Sequence, residues 1–487
     1  MKRNVFILIV ANFLAWQGLS YADSSVDALI QKLEDKGVLT QQEASQLKDQ
    51  VSDKEQASQQ ATFKSMLPDW INGFKITGDM RLRYQDQERG SINQDNPHDR
   101  GRVRARLNIE DQINDKIKFV FGVGTDGTGG NNGSGTSLYN FNRSNNYSFG
   151  GNGSNTSNIP SGSFDKDFIV LNKAYAEYTP MADLKVDVGK MDNPIWEPSS
   201  ISTERFLWDP NITPEGGAIQ YQKKINDYIT PFTTDGVFVV NDTSHSTLDT
   251  WMYFNQVGLK GNPTEKTYYK LAGTWYDISN PDHQLMSTRG TDLTNTTLVN
   301  TGSAATSVKC GAGYGTSINS TTECYEYSYN ALVGAIDLGI NDPFGESLPI
   351  YIPQMGVRGE VIRNPQRKIP SDQKNGWEMG AYIGNSALNG WGTWQLSGDY
   401  RVMEQNAWMD IFPDFDQYTG DTDVAGTRFE LDIGLMKNVW FDFNIFDMHV
   451  YKPFYNNALA AYSGGNPNIT NASNKEILYQ ADINMKF

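Results

Sequence analysis

From Phe74 to its last residue the chain alternates apolar and polar side chains with a period of two. Phe74, Ile76, Met80, Leu82 and Tyr84 alternate with Lys75, Thr77, Asp79, Arg81 and Arg83. Val103, Ala105, Leu107 and Ile109 alternate with Arg102, Arg104, Arg106, Asn108 and Glu110, and the same rhythm runs through Phe429, Leu431, Ile433 and Leu435. Successive side chains of a strand point to opposite faces, so each segment has one apolar and one charged face. That suits a strand between lipid and a wet interior, and also a soluble sheet covered on one side.

The joints separate these two options. The pattern predicts sixteen strands, and the joints between them alternate in length. Residues 113–115, 260–266 and 437–438 are short joints, whereas 125–166, 278–325 and 452–473 are long and rich in Gly, Asn, Ser and Thr. Bacterial membrane barrels have short turns on one side, long loops on the other and an even strand number. A soluble sandwich gives no reason for the alternation. The expected fold is therefore all-β, a transmembrane antiparallel β-barrel of sixteen strands, with fourteen or eighteen also compatible with the weaker early segments. A hydrophobic content of 38% agrees, because only one side chain in two must face lipid.

The start of the chain places it outside the cytoplasm. Lys2 and Arg3 precede an apolar run from Val5 to Trp16, and Ser20-Tyr21-Ala22 follows, which predicts a cleaved signal peptide over 1–22. The run is shorter than the roughly 20 residues of a membrane-spanning helix. Val26, Leu29, Ile30 and Leu33 recur at helical spacing, and Thr40 with Glu43 forms a capping box before Ala44, Leu47 and Val51. Residues 23–68 thus read as a periplasmic helical segment and linker, either an aid to oligomerisation or a spacer, with the barrel over 69–487. The last strand alternates Tyr479, Ala481, Ile483, Met485 and Phe487 with polar residues. A final aromatic on such a strand resembles the signal read by the barrel-assembly machinery, with Tyr479, Ile483, Met485 and Phe487 as its elements. A Gram-negative outer membrane is the expected location.

Net charge is −16, and −18 without Lys2 and Arg3, which disfavours nucleic acid as a partner and suits contact with lipid and lipopolysaccharide. His98, His245, His283 and His449 are scattered and predict no metal site, and no cofactor is expected. Asp410, Asp414, Asp416, Asp421 and Asp423 match no calcium-loop spacing and read as a solvated outer loop. Trp251, Tyr253, Tyr269, Trp377, Trp394 and Tyr400 suit interfacial girdles, or platforms for sugars if they face inward.

Several pieces in order carry a family resemblance. They are Gly78-Asp79-Met80-Arg81-Leu82-Arg83-Tyr84, the run from Arg100 to Leu107, Lys173-Ala174-Tyr175-Ala176-Glu177-Tyr178, Val188-Gly189-Lys190-Met191-Asp192-Asn193-Pro194 and Leu207-Trp208-Asp209-Pro210. With the barrel pattern they make the mature chain similar to the putative porin family of Gram-negative bacteria. The resemblance implies passive diffusion of small hydrophilic solutes through a water-filled lumen, commonly in a homotrimer, and no enzymatic activity. It implies further that the third long loop, about 192–215, folds inward with Asp192, Glu197, Glu204 and Asp209 as its acids. Arg81, Arg83, Arg102, Arg104 and Arg106 are then candidates for the basic side of a filter, or for struts that stiffen the wall. A plugged structural or adhesive barrel is a second reading. An outer-membrane lipase-like enzyme is a third, although no serine is marked as partner to His449 on the lipid-facing wall.

Cys310 and Cys324 lie in a polar loop of an exported chain, so a disulfide is the natural reading and two free thiols the alternative. Peptide mass spectrometry without reduction should find the two joined, a link that stabilises the loop by about 3 kcal/mol. Two free thiols would overturn the pairing.

Overall fold

The computed structural model describes residues 74–89, 98–125, 147–148, 169–201, 205–242, 249–281, 307–309, 323–325, 327–347, 351–452 and 475–487. The expected signal peptide and helical segment, Cys310, the side chain of Cys324 and Glu204 lie outside the described residues.

Sixteen long strands form one antiparallel sheet that closes on itself, joined by the two-residue strand Tyr147–Ser148 to make seventeen. In chain order they are β1 (Phe74–Arg89), β2 (His98–Asn114), β3 (Ile117–Thr125), β4 (Ile169–Met181), β5 (Leu184–Lys190) and β6 (Glu215–Gln222). Then come β7 (Thr230–Asn241), β8 (Thr250–Gly261), β9 (Thr267–Ile278), β10 (Leu332–Asn341) and β11 (Gln354–Arg363). The last five are β12 (Asn375–Gly384), β13 (Trp394–Met403), β14 (Val424–Met436), β15 (Val439–Val450) and β16 (Lys475–Lys486). Each expected strand is present. The segments expected at 326–337 and 348–361 start later, at Leu332 and Gln354, for a physical reason. Tyr325 and Tyr329 turn inward and are fully buried, and Pro353 keeps the chain out of the ladder just before β11.

The sheet is inside-out relative to a soluble protein. On β14, Phe429 is 55% exposed while its neighbours Arg428 and Glu430 are 0% and 1% exposed. Tyr253, Trp377 and Tyr400 are exposed large side chains on the outer face. The short connections are built for tight reversal. Asn438 takes a positive φ of 63° between β14 and β15, and Asn114 accepts bonds from the Lys116 and Ile117 amides between β2 and β3.

Closure is made by β1 and β16, which pair from Asp79 with Lys486 to Arg89 with Glu476. Phe487 extends the seam: its carbonyl accepts from the Gly78 amide at 2.9 Å and its amide donates to Gly78 at 3.0 Å. A Cβ at Gly78 would run into the Phe487 ring and the Arg106 carbonyl, so glycine makes room for the terminal aromatic. Deleting Phe487, or Gly78→Val, removes or crowds the seam and should give unfolded, protease-sensitive periplasmic material. A normal amount of heat-modifiable outer-membrane protein in both variants would contradict this.

Candidate functional site in the barrel lumen

Arg81 and Arg83 on β1 and Arg102, Arg104 and Arg106 on β2 occupy inner-face positions, because they alternate with Met80, Leu82, Val103 and Ala105. They fall into two environments. Arg83 sits between two carboxylates: its Nε and Nη2 donate to Asp482 at 2.8 Å, and its Nη1 reaches Asp416 at 2.5 Å. Arg81 lies 3.6 Å from Asp482, and Arg102 donates to Gln85 at 3.3 Å. These three are buried. Arg104 and Arg106 share Asp79 at 3.1 and 2.8 Å and keep 12% and 20% of their side chains accessible.

Residues 191–214 form the third long connection, whose ends are tied by the Met191 amide to Pro214 at 2.9 Å. Its middle crosses the interior. Trp196 exchanges two backbone bonds with the Gln256 amide on β8, at 2.9 and 2.8 Å. Trp208 donates to Tyr276 on β9, while Ser200 accepts from Arg428 on β14 and Asn211 from Arg104 on β2. Asp192 stays at the rim with Lys173 at 2.7 Å, and Asp209 accepts from the Asn211 and Phe415 amides. Glu197 is buried. Burial pushes its carboxyl up to about 8, and nearby Glu378 acts in the same sense, against Arg205 and the Leu207 and Trp208 amides. The third connection therefore reaches the arginines through Asn211, and Glu197 lies beside Glu378 and Arg205.

The seventh long connection, residues 404–423, corrects the expectation of a solvated outer loop. Asp410, Asp414, Asp416, Asp421 and Asp423 are all buried, with Trp408, Met409, Ile411 and Phe412 among the core residues. The Asp209 amide donates to the Phe412 carbonyl at 2.7 Å, and Trp408 Nε1 donates to Leu207 at 3.0 Å. Trp208 stacks at 4.7 Å from Phe412 and 6.0 Å from Trp408, so the two connections share one aromatic cluster. Asp416 is what this connection delivers to the arginines. Burial would raise its carboxyl, but Arg83, Arg81 and Arg102 outweigh that and hold it well below the usual carboxylate range. The signal missed in the sequence was the run Trp408, Met409, Ile411, Phe412 and Phe415 between the aspartates. It is too apolar for a loop in water.

A second charge cluster lies on β11 to β14. Asp399 accepts from Arg401 at 2.8 Å and Arg428 at 2.9 Å, with Arg358 at 3.3 Å. Arg401 also holds Glu378 at 2.8 Å, and Arg428 holds Glu430 at 2.9 Å. In contrast, Lys118, Glu177 and Lys185 on β3 to β5 keep 26%, 18% and 37% of their side chains accessible. Charged side chains on β11 to β14 and β1 are thus closely covered, whereas on β2 to β5 Arg104, Arg106, Lys118, Glu177 and Lys185 keep part of their surface accessible beside the buried Arg102, Asn172 and Asp187.

No curated protein matches this sequence. Among solved structures, OprB of Pseudomonas putida is 10% identical, covering 85% of this chain and 94% of that one with a TM-score of 0.47. A mutant porin from Rh. blastica is 9% identical, covering 85% of this chain and all of that one, with a TM-score of 0.40. A family model described as "Putative porin" matches residues 87–455. That match spans most of the barrel, and the chain belongs to the putative porin family.

Proposed function

We propose that the chain is an outer-membrane porin, a channel and not an enzyme, that passes small hydrophilic solutes along the accessible side of its lumen. Charged groups of uneven accessibility carry this reading: Arg83 and Arg428 lie under the seventh and third connections, while Arg104, Arg106, Lys118, Glu177 and Lys185 on β2 to β5 keep part of their side chains in contact with water. Arg104 and Arg106 then face the solute. Arg81, Arg83 and Arg102 act as struts that seat the seventh connection. The third connection narrows the path as the family resemblance implies, with its Asn211 at the arginines and Glu197 deeper in. Lipopolysaccharide, the barrel-assembly machinery and two further copies in a homotrimer are the partners that go with this role, and a cleaved leader over 1–22 goes with the location.

A plugged structural barrel is the second reading, favoured by the aromatic cluster that fills part of the interior. Planar-bilayer recording separates the two: stepwise conductance supports the channel, and a silent, correctly folded barrel supports the plug.

Two outcomes follow for selectivity. At physiological ionic strength the Debye length is about 8 Å, so nearby groups outweigh the net charge of the whole chain. Arg104→Gln with Arg106→Gln should move the reversal potential under a salt gradient toward cations and leave folding intact, whereas Arg102→Gln alone changes it little. An unchanged potential in the double variant would assign these arginines to the wall.

Glu197 provides a pH dependence whose sign follows from its raised carboxyl. It is neutral below about 8 and charged above, so raising the pH through that range should also shift the potential toward cations. Glu197→Gln should abolish this shift, and its persistence would exclude Glu197 as the titrating group.

A further inference from the structure

We infer that Lys260 on β8 and Lys270 on β9 form a binding site for a small oxyanion, a carboxylate or a phosphate, on the inner wall. This rests on the channel reading and adds to it a class of solute and the residues that select it. Most positive charges of the lumen are already neutralised. Arg83, Arg104 and Arg106 each lie within 3.3 Å of a carboxylate oxygen, as do Arg358, Arg401 and Arg428 on β11, β13 and β14. Lys118, Lys173 and Lys185 are paired in the same way. Lys260 and Lys270 differ: among the described residues, neither has a carboxylate within 4.0 Å. Both face inward, since they alternate with the exposed Leu259 and Leu271 of the outer wall, and both are partly exposed.

Register makes the two lysines neighbours. Lys270 stands opposite Lys260 on β8 and opposite Asp337 on β10. Like charges directly opposite each other on two strands repel, so this pairing is unfavourable until something negative joins it. Asp337 would be the natural counter-charge, but it accepts a hydrogen bond from Tyr382 at 2.7 Å, and Lys270 turns elsewhere. Its ammonium nitrogen lies 4.4 Å from the centre of the Trp196 ring and 5.1 Å from that of Phe232 on β7. Lys260 donates to the Gln222 side chain on β6 at 2.9 Å, a neutral acceptor.

The rings are an independent observation. An aromatic face attracts an ammonium without cancelling its charge, and an ammonium has three N–H donors to offer. Trp196 belongs to the third connection and is fixed there by two hydrogen bonds with the buried Gln256 side chain, at 2.9 and 2.8 Å. Phe232 lies against β8 where Gly258 has no side chain, and a Cβ there would run into its ring. Lys270 is thus held by groups that leave its charge available. Two positioned ammonium groups with spare donors and no counter-charge suit a small anion with oxygen acceptors, and they draw it to the wall beside the third connection.

The test uses the full chain folded in detergent at low ionic strength, with inorganic phosphate and acetate as probes. Equilibrium dialysis against each radioactive anion measures binding without requiring conductance. In planar bilayers, the anion that binds should also lower the single-channel chloride current. The wild type should bind at least one of the two, and the one bound more tightly identifies the oxyanion. Lys270→Gln and Lys260→Gln should each weaken binding by about tenfold or more, whereas Lys270→Arg, which keeps the charge, should retain most of it. Lys437→Gln, at the exposed joint between β14 and β15, changes net charge equally and should bind as the wild type does. If Lys270→Gln fails to fold, Lys260→Gln decides. Binding by a barrel that never conducts would overturn the channel reading and keep the site. Absence of binding by the wild type, or equal binding by the two Gln variants, overturns the site whether or not the barrel conducts.

Discussion

A strand that crosses lipid has no water to satisfy its backbone, and each unpaired N–H or C=O there costs several kcal/mol. The closed ladder from β1 round to β16 meets this requirement with no free edge. Once the ladder is closed, the side chains have only two directions left, and the two-residue rhythm of the sequence assigns them. Apolar groups face out, where burial in lipid stabilises them, and charged groups face in. The inversion of exposure between Phe429 and its neighbours Arg428 and Glu430 is the direct consequence.

The interior is unevenly used. Two connections, tied to each other through Trp208, Trp408 and Phe412, press against one half of the wall. Water is excluded there, and each buried charge depends on its partners. Asp399 illustrates the point, with three guanidiniums around one carboxylate. Removing one member of such a buried group typically costs about 3–5 kcal/mol, because the remaining charge is left without compensation. On the other half, Lys118, Glu177 and Lys185 pair while still wetted, where exposed pairs are worth about 1 kcal/mol or less. Tightly packed charge groups and partly wetted pairs therefore share the inner face of one barrel.

Strands were legible because a period of two needs only local composition, and the sixteen segments with their alternating joints could be read directly. Displacements occurred where aromatic residues such as Tyr325 and Tyr329 keep the rhythm but fold inward instead. The inner-face position of Arg81 to Arg106 was equally legible, since parity alone sets it. The identity of their partners was not. Asp416 is 333 residues from Arg83, and the acid-rich segment around it looks like a solvated loop unless its tryptophan and phenylalanines are weighed with its aspartates. Carboxylates from adjacent strands, such as Asp432 on β14 and Asp442 on β15, become neighbours through register, which composition along the chain does not encode.

Arg83 belongs to the first strand and Asp482 to the last, and together they form the floor on which Asp416 rests. That floor does not exist in a half-built sheet. Until the two ends of the chain meet, Asp416 of the seventh connection lacks its Arg83 partner, and the connection is held only by contacts such as Gln417 with Arg401 and Trp408 with Tyr276. Closure of the wall and the final seating of the seventh connection are thereby tied to one charge group, Arg83 with Asp482 and Asp416.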